Sequence, residues 1–212
     1  MPTVVRFEAG EMMNEARDIA ALCYKHCDEA VGIIEFLEAG NTLEVEANYC
    51  GGAHIANLIR KAMEQRLVMS IMRMHDGGGK DRETLLKAFT LLDEPAVRRQ
   101  VSQHGGDELR LDAAIARWPA LRDDPVKGKI RAVRDYESAH NIPSKASTRP
   151  FLSEFMRFSR DSIKLVQDLA AGTGVAFVSF GAAQQIWAGR AAAYWECLQR
   201  KKRVTQSRQA QF

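Results

Sequence analysis

Apolar residues recur every three or four positions along most of the chain, which is the pattern of amphipathic helices. The first such stretch runs from Glu11 to Leu37. Its apolar stripe consists of Met12, Ala16, Ile19, Cys23, Cys27, Ala30, Ile34 and Leu37. Ala39 to Asn41 are typical of a turn, and a second periodic stretch follows from Thr42, a predicted N-cap, to Met74. The pattern therefore predicts a long antiparallel helical hairpin at the start of the chain.

Shorter helices are predicted after the glycine-rich connection Asp76–Asp81. Helix-start signals, which are acidic caps and first-turn prolines, mark several of them. Two short helices are predicted to begin near Asp81 and Asp93. Longer ones span Asp107 to Arg122, begin again at Pro125, and span Phe151 to Ala170. The last spans Gly181 to Arg200, with four residues expected to be buried, namely Ile186, Trp187, Tyr194 and Leu198. The residues from Val175 to Phe180 resemble a strand, but a single strand would have no sheet to join. We therefore expect an all-α, mostly antiparallel helical bundle.

Length and composition predict one globular domain. The chain has 212 residues, of which 46% are hydrophobic and 27% are charged. We expect a single helical domain over residues 1–199 and a basic C-terminal tail over residues 200–212. No apolar run approaches the roughly 20 residues of a membrane span, and the N-terminus lacks the pattern of a signal peptide. A cytoplasmic protein without a membrane partner is expected.

Charge is distributed unevenly along the chain. Residues 1–46 contain ten acidic and three basic residues (−7), whereas residues 125–160 contain eight basic and three acidic residues (+5). The tail from Arg200 adds five basic residues and no acidic one. A basic region of this kind indicates nucleic acid as a ligand. The alternative is that these side chains only solvate helix faces.

The stretch RDYESAH, from Arg134 to His140, lies at the end of a predicted helix inside this basic region. A histidine transfers protons near neutral pH, and an arginine holds a phosphate through a planar fork of donors. Together they suit metal-free RNA cleavage, in which the ribose 2′-OH attacks the adjacent phosphate. Six residues correspond to about 600° of helix rotation, so the two side chains lie about 120° apart. A second copy of the helix across a two-fold axis would complete one groove, which predicts a homodimer.

These residues resemble the R-x(4–6)-H motif of the HEPN superfamily. The polar Asp135 after the arginine and Ala139 before the histidine fit that motif. The helical hairpin, followed by RMHDGGGKDRETLLKAFTLL (Arg73 to Leu92) and the motif helix, resembles the abortive-infection, AbiU-type branch. The resemblance implies an all-α HEPN-like fold. It also implies a metal-independent endoribonuclease of an antiphage or toxin–antitoxin system, with a possible antitoxin or regulatory partner.

The roles of individual residues follow from this resemblance and from the basic surroundings. His140 is expected to be the general acid or base, Arg134 to stabilise the phosphate, and Asp135 to orient them. Three further basic residues are expected to guide the RNA backbone, namely Lys129, Arg131 and Lys145. No cofactor or metal is expected.

Three alternatives remain open at the level of sequence. The chain could be a helical nucleic-acid-binding module without catalysis, or a protein-interaction module. In both cases Arg134 would form a surface ion pair, with Asp135 or Glu137 as its partner. A zinc site is also conceivable, because Cys23 and Cys27 are four residues apart on the first helix, as are Cys50 and His54 on the second. The competing interpretation is ordinary reduced thiols in a core.

Overall fold

The protein is all-α. The computed structural model describes residues 8–42, 52–76, 84–135, 149–175 and 180–209, and this part of the chain contains no strand. It forms eight α-helices and one 3₁₀ turn at Ser102–His104. The helices are α1 (Ala9–Thr42), α2 (Gly52–His75), α3 (Leu85–Leu92), α4 (Pro95–Arg98), α5 (Glu108–Arg122), α6 (Pro125–Val133), α7 (Leu152–Gly172) and α8 (Phe180–Gln209). The predicted fold class is confirmed.

Helix α1 is the central element, and it packs against α2, α3, α7 and α8. Its predicted apolar stripe is buried from Ala16 to Leu37, as helical periodicity requires. Cys27 lies in this core and its thiol donates to Met74 Sδ of α2 at 3.4 Å. The packing of α1 on α2 confirms the predicted hairpin.

The first helix extends beyond its predicted end. Residues Ala39 to Thr42 continue α1 instead of forming a turn, so Thr42 is not an N-cap. A Cβ atom at Gly40 would lie 2.7 Å from Trp195 of α8. The indole Nε1 of Trp195 also donates to Phe36 O at 3.0 Å. Packing against α8 therefore stabilises the last turns of α1, where local sequence favours a turn.

Two of the predicted acidic caps, Asp107 and Asp124, are confirmed, whereas α4 begins after Glu94 without a side-chain cap. The Asp107 carboxylate accepts from Arg110 N at 3.1 Å and begins α5. Asp124 accepts from Val126 N at 2.8 Å, and Pro125 occupies the first turn of α6. Gly105 ends the 3₁₀ turn with a φ of 71°, a conformation that glycine adopts without steric cost. Asp124 and Pro125 together set where α6, the motif helix, begins.

The last helix differs from its prediction in length and in its buried face. It continues to Gln209 instead of ending at Arg200, because no glycine or proline interrupts residues 190–209. Ala191 and Trp195 are buried against α1, whereas Ile186 and Tyr194, predicted to be buried, are exposed. None of the helices in the described ranges combines the length and apolar character needed to cross a bilayer.

Candidate active site

The motif helix meets the end of α2 through a buried carboxylate. Asp76 directly follows α2, and its side chain is only 11% exposed. Its Oδ1 lies 3.0 Å from Arg131 Nη2, and its Oδ2 pairs with Arg134 Nη1. A buried carboxylate at this position fixes the motif arginine in one orientation. Sequence reasoning missed Asp76, because nothing local links it to a residue 58 positions later.

Asp135 holds the other edge of the same guanidinium. Its Oδ1 accepts from Arg134 Nε at 2.8 Å and from Nη2 at 2.5 Å. All three guanidinium nitrogens of Arg134 are therefore paired with carboxylates. The two acids differ in accessibility, since the Asp135 side chain is 46% exposed. The Nε and Nη2 edge is thus paired with the more accessible acid, whereas the Nη1 edge is paired with the buried one.

His75 lies behind this anchor in the core. Its Nε2 is 2.8 Å from Ser162 Oγ, and the Ser162 hydroxyl donates to Phe158 O at 2.8 Å. Because that hydroxyl proton is already used, Nε2 must be the donor to Ser162. Burial, aided by the positive charge of Lys127, lowers the pKa of His75 to about 3. His75 therefore stays neutral at physiological pH and adds no charge to the site.

The predicted RNA-guiding residues have different surroundings. Lys129 Nζ lies 3.1 Å from both carboxylate oxygens of Glu154 on α7. The backbone hydrogen bond from Phe151 and the ion pair with Lys129 lower the pKa of Glu154. Arg131 binds Asp76, as described above. His140 and Lys145 lie outside the described residues, so the Arg134–His140 geometry stays a prediction.

A groove of about 480 Å³ adjoins the motif helix. Its apolar walls include Val68 of α2, Ile130 and Val133 of α6, and Phe155 of α7. Three basic residues, Arg60, Lys61 and Arg149, line it together with Glu64. Their combined formal charge is +2, because three cations face one acid. Val133, which lines the groove, immediately precedes Arg134 in the chain.

The acid within the groove is held in a partly desolvated position. Burial raises the pKa of Glu64, although Arg60, Arg149 and Lys61 act in the opposite direction. At this carboxyl, burial therefore outweighs the effect of three neighbouring cations. Sequence reasoning also missed this groove, because Arg60 and Arg149 lie on elements distant in the chain.

The cysteines of the hypothetical zinc site lie in the core. Cys23 and Cys27 are both buried, and burial raises the pKa of the Cys27 thiol well above its ordinary value. This is the environment that the reduced-thiol interpretation predicts. Cys50 and the side chain of His54 lie outside the described residues. Within the described ranges no group of three potential ligands assembles.

Comparison with known proteins places the chain in a family. No curated protein matches the chain, and no solved structure matches it. A family model described as HEPN AbiU2 matches residues 8–167, which span α1 to most of α7 and include Asp76, Arg134 and His140. The match covers about three quarters of the chain and agrees with the helical fold. The protein therefore belongs to the AbiU2 family of HEPN domains, a family related to abortive infection.

Proposed function

We propose that this protein is a metal-independent endoribonuclease of an antiphage or toxin–antitoxin system. The observation that carries the proposal is the buried Asp76, which anchors Arg134 on the helix whose residues Ile130 and Val133 line a basic groove. A histidine and an anchored arginine provide the two functions that RNA transesterification needs, which are proton transfer and charge stabilisation. His140 moves the proton, and Arg134 stabilises the phosphate.

The reaction follows from the chemistry of RNA. The 2′ oxygen forms a bond to the adjacent phosphorus while the bond to the 5′ oxygen breaks. The 2′-OH loses a proton, the departing 5′ oxygen gains one, and the product ends are a cyclic phosphate and a 5′-OH. His140 carries one of these protons. Asp135 first releases the Nε and Nη2 edge of Arg134. That edge then donates hydrogen bonds to the phosphate, while Asp76 keeps Nη1 in place.

The direct test is cleavage of a labelled structured RNA in EDTA by the wild type, His140→Ala and His26→Ala. His26 lies on α1 and serves as the matched histidine control. We expect cyclic-phosphate ends from the wild type and from His26→Ala, and a loss of at least 100-fold in rate for His140→Ala. Equal cleavage by wild type and His140→Ala would refute the assignment of His140.

The proposal includes a homodimer in which the two motif helices form one composite site. Arg134→Ala and His140→Ala proteins, each inactive alone, are mixed and allowed to exchange subunits. A site that takes its arginine from one copy and its histidine from the other recovers activity in the mixed dimer. A site built within one copy recovers none. Sedimentation of the separate proteins shows whether each still forms a dimer.

A second candidate is an RNA-binding module without catalysis. The observation that favours it is the complete pairing of the Arg134 guanidinium, which leaves none of its nitrogens unpaired in the structure. Such a module would bind RNA with a steep salt dependence, and His140→Ala would not change its function. A protein-interaction module would show no affinity for RNA at low salt. An antitoxin or regulatory partner would be compatible with either enzyme or binder.

A further inference from the structure

Phe151 is an apolar ring in an unexpected place. It is 76% exposed, more than any other aromatic side chain in the described part of the chain. It directly precedes α7 and follows Arg149 and Pro150, which both line the basic groove. A large ring left in water contributes little to folding. Its backbone lies between two residues that line the groove, Pro150 and Leu152, so the exposed ring is available to a ligand bound there.

A hydrogen bond constrains the backbone that carries this ring. The Phe151 N–H donates to Glu154 Oε2 at 2.8 Å, and Glu154 in turn binds Lys129 of the motif helix. Pro150 restricts the chain immediately before the ring. Phe151 is thus attached both to α7 and to the helix that carries Arg134. A ring presented on a constrained backbone loses little conformational freedom when it binds.

The chemistry around the ring is that of a site for single-stranded nucleic acid. Such sites combine cations that follow the phosphates with aromatic side chains that stack on bases. Arg60, Lys61 and Arg149 provide the cations in the groove, and Leu152, 44% exposed, extends the apolar surface next to Phe151. A base can stack on a protein ring only when it is not already stacked in a duplex. The combination therefore favours unpaired RNA.

We propose that Phe151 stacks on an unpaired base beside the groove, while Arg60 and Lys61 bind the neighbouring phosphates. The protein then prefers single-stranded RNA over duplex RNA. The choice of RNA over another polyanion rests on the proposed function. Because Val133 lines the groove and immediately precedes Arg134, a strand bound there lies close to the motif arginine. Phe151 is a specificity-determining residue for the substrate, not a catalytic one.

The test measures binding, separately from cleavage. Fluorescence anisotropy is recorded with a labelled single-stranded oligoribonucleotide and with a blunt duplex, using full-length His140→Ala protein to prevent cleavage. Phe151→Ala is compared with Phe151→Trp and with Leu109→Ala, a control for a leucine that is 82% exposed on α5. Removal of a stacking ring should weaken single-strand binding at least fivefold. Phe151→Trp should restore it, Leu109→Ala should leave it unchanged, and duplex binding should change little.

Salt dependence separates stacking from phosphate binding. Phe151→Ala should leave the slope of log affinity against log salt unchanged, whereas Lys61→Ala should reduce it by about 0.7 for a single strand. Equal weakening of single-strand and duplex binding, or none, would overturn the proposal. So would a loss of dimer in Phe151→Ala with unchanged RNA affinity, because the ring would then belong to a protein interface.

The outcome is distinguishable from failure of the proposed function. If wild type does not cleave RNA but Phe151→Ala still loses single-strand affinity, the stacking site stands and the enzyme proposal fails. If wild type cleaves RNA and the affinity of Phe151→Ala is unchanged, only the stacking site fails. Absence of RNA binding by every variant overturns both.

Discussion

Two buried carboxylates in this protein each bind two arginines, yet their settings differ. Asp168 lies within α7, is 3% exposed, and binds Arg110 Nη1 at 2.8 Å and Arg117 Nη1 at 2.6 Å. Lys164, one turn earlier on α7, adds a third cation at 3.3 Å. All its partners lie on α5 and α7, two helices that pack closely along their length. Asp168 therefore acts as a clamp between helices.

Asp76 has similar partners at a different kind of position. It follows the last residue of α2, and its arginines lie on the final turn of α6 and just after it. Arg134 also divides its donors between Asp76 and the more exposed Asp135. The comparison shows that a buried acid with two arginines is not by itself a functional site. What distinguishes Asp76 is its place at the ends of two helices, where it anchors the motif arginine.

The largest effect on stability at pH 7 is expected at Asp168. Hydrogen bonds from Arg110 and Arg117 lower the pKa of Asp168 despite the opposing effect of burial. Asp168→Asn removes the charge that holds three cations together, and should cost about 2–3 kcal/mol, less than a fully buried pair because the cations are partly solvated. Urea unfolding at pH 7 measures this cost. RNA cleavage by the folded variant should equal that of the wild type, and a selective loss of cleavage would contradict the clamp interpretation.

The next effect concerns the neutral histidine beside Asp76. The pKa of His75 is lowered to about 3 in the folded protein. As the pH falls below about 6.5, this histidine therefore becomes protonated in the unfolded chain but stays neutral in the folded protein. Titration of His75 does not lower the free energy of unfolding above pH 6.5. As the pH decreases from 6.5 toward 4, it lowers that free energy by about 1.4 kcal/mol per pH unit. Urea midpoints between pH 7 and pH 4 follow the loss. His75→Gln keeps a donor for Ser162 without titrating, and should flatten the pH dependence; an unchanged slope would exclude His75 as its source.

A smaller stability effect with a large functional effect is expected at Asp76. Asp76→Asn should lower the free energy of unfolding by about 1–2 kcal/mol, because a partly exposed arginine loses a charge-assisted hydrogen bond. Because Arg134 is then held less firmly, the cleavage rate should fall at least tenfold. RNA affinity should not fall, because a negative charge has been removed. Parallel losses of cleavage and affinity would show that Asp76 acts only through the fold.

The smallest effect is expected at Asp135. An exposed ion pair contributes little, so Asp135→Asn should change stability by less than about 0.5 kcal/mol. The substitution makes the Nε and Nη2 edge of Arg134 more available, so RNA affinity should rise two- to fivefold, measured by anisotropy in the His140→Ala background. A stability loss as large as that of Asp76→Asn would mean that the two carboxylates are equivalent.

The elements of the fold were predictable because their causes are local. The apolar spacing of α1 and the caps Asp107 and Asp124 act within a few residues, so they can be recognised from sequence. The motif Arg134–His140 was also recognisable, and its family is confirmed by the match over residues 8–167. The boundaries that failed are those decided by packing. Gly40 continues α1 because Trp195 of α8 lies against it, and that contact cannot be predicted from the local sequence.

The sequence by itself determined the all-α class, the helical hairpin, the start of the motif helix and the family to which the chain belongs. Only the tertiary structure decided that Asp76 anchors Arg134, that Lys129 binds Glu154, and that Arg60 and Arg149 share a groove. The physical reason is the range of the interactions. Periodicity and capping depend on neighbours within one or two turns, whereas an ion pair or a groove depends on which helices pack together, and that is set by the whole core.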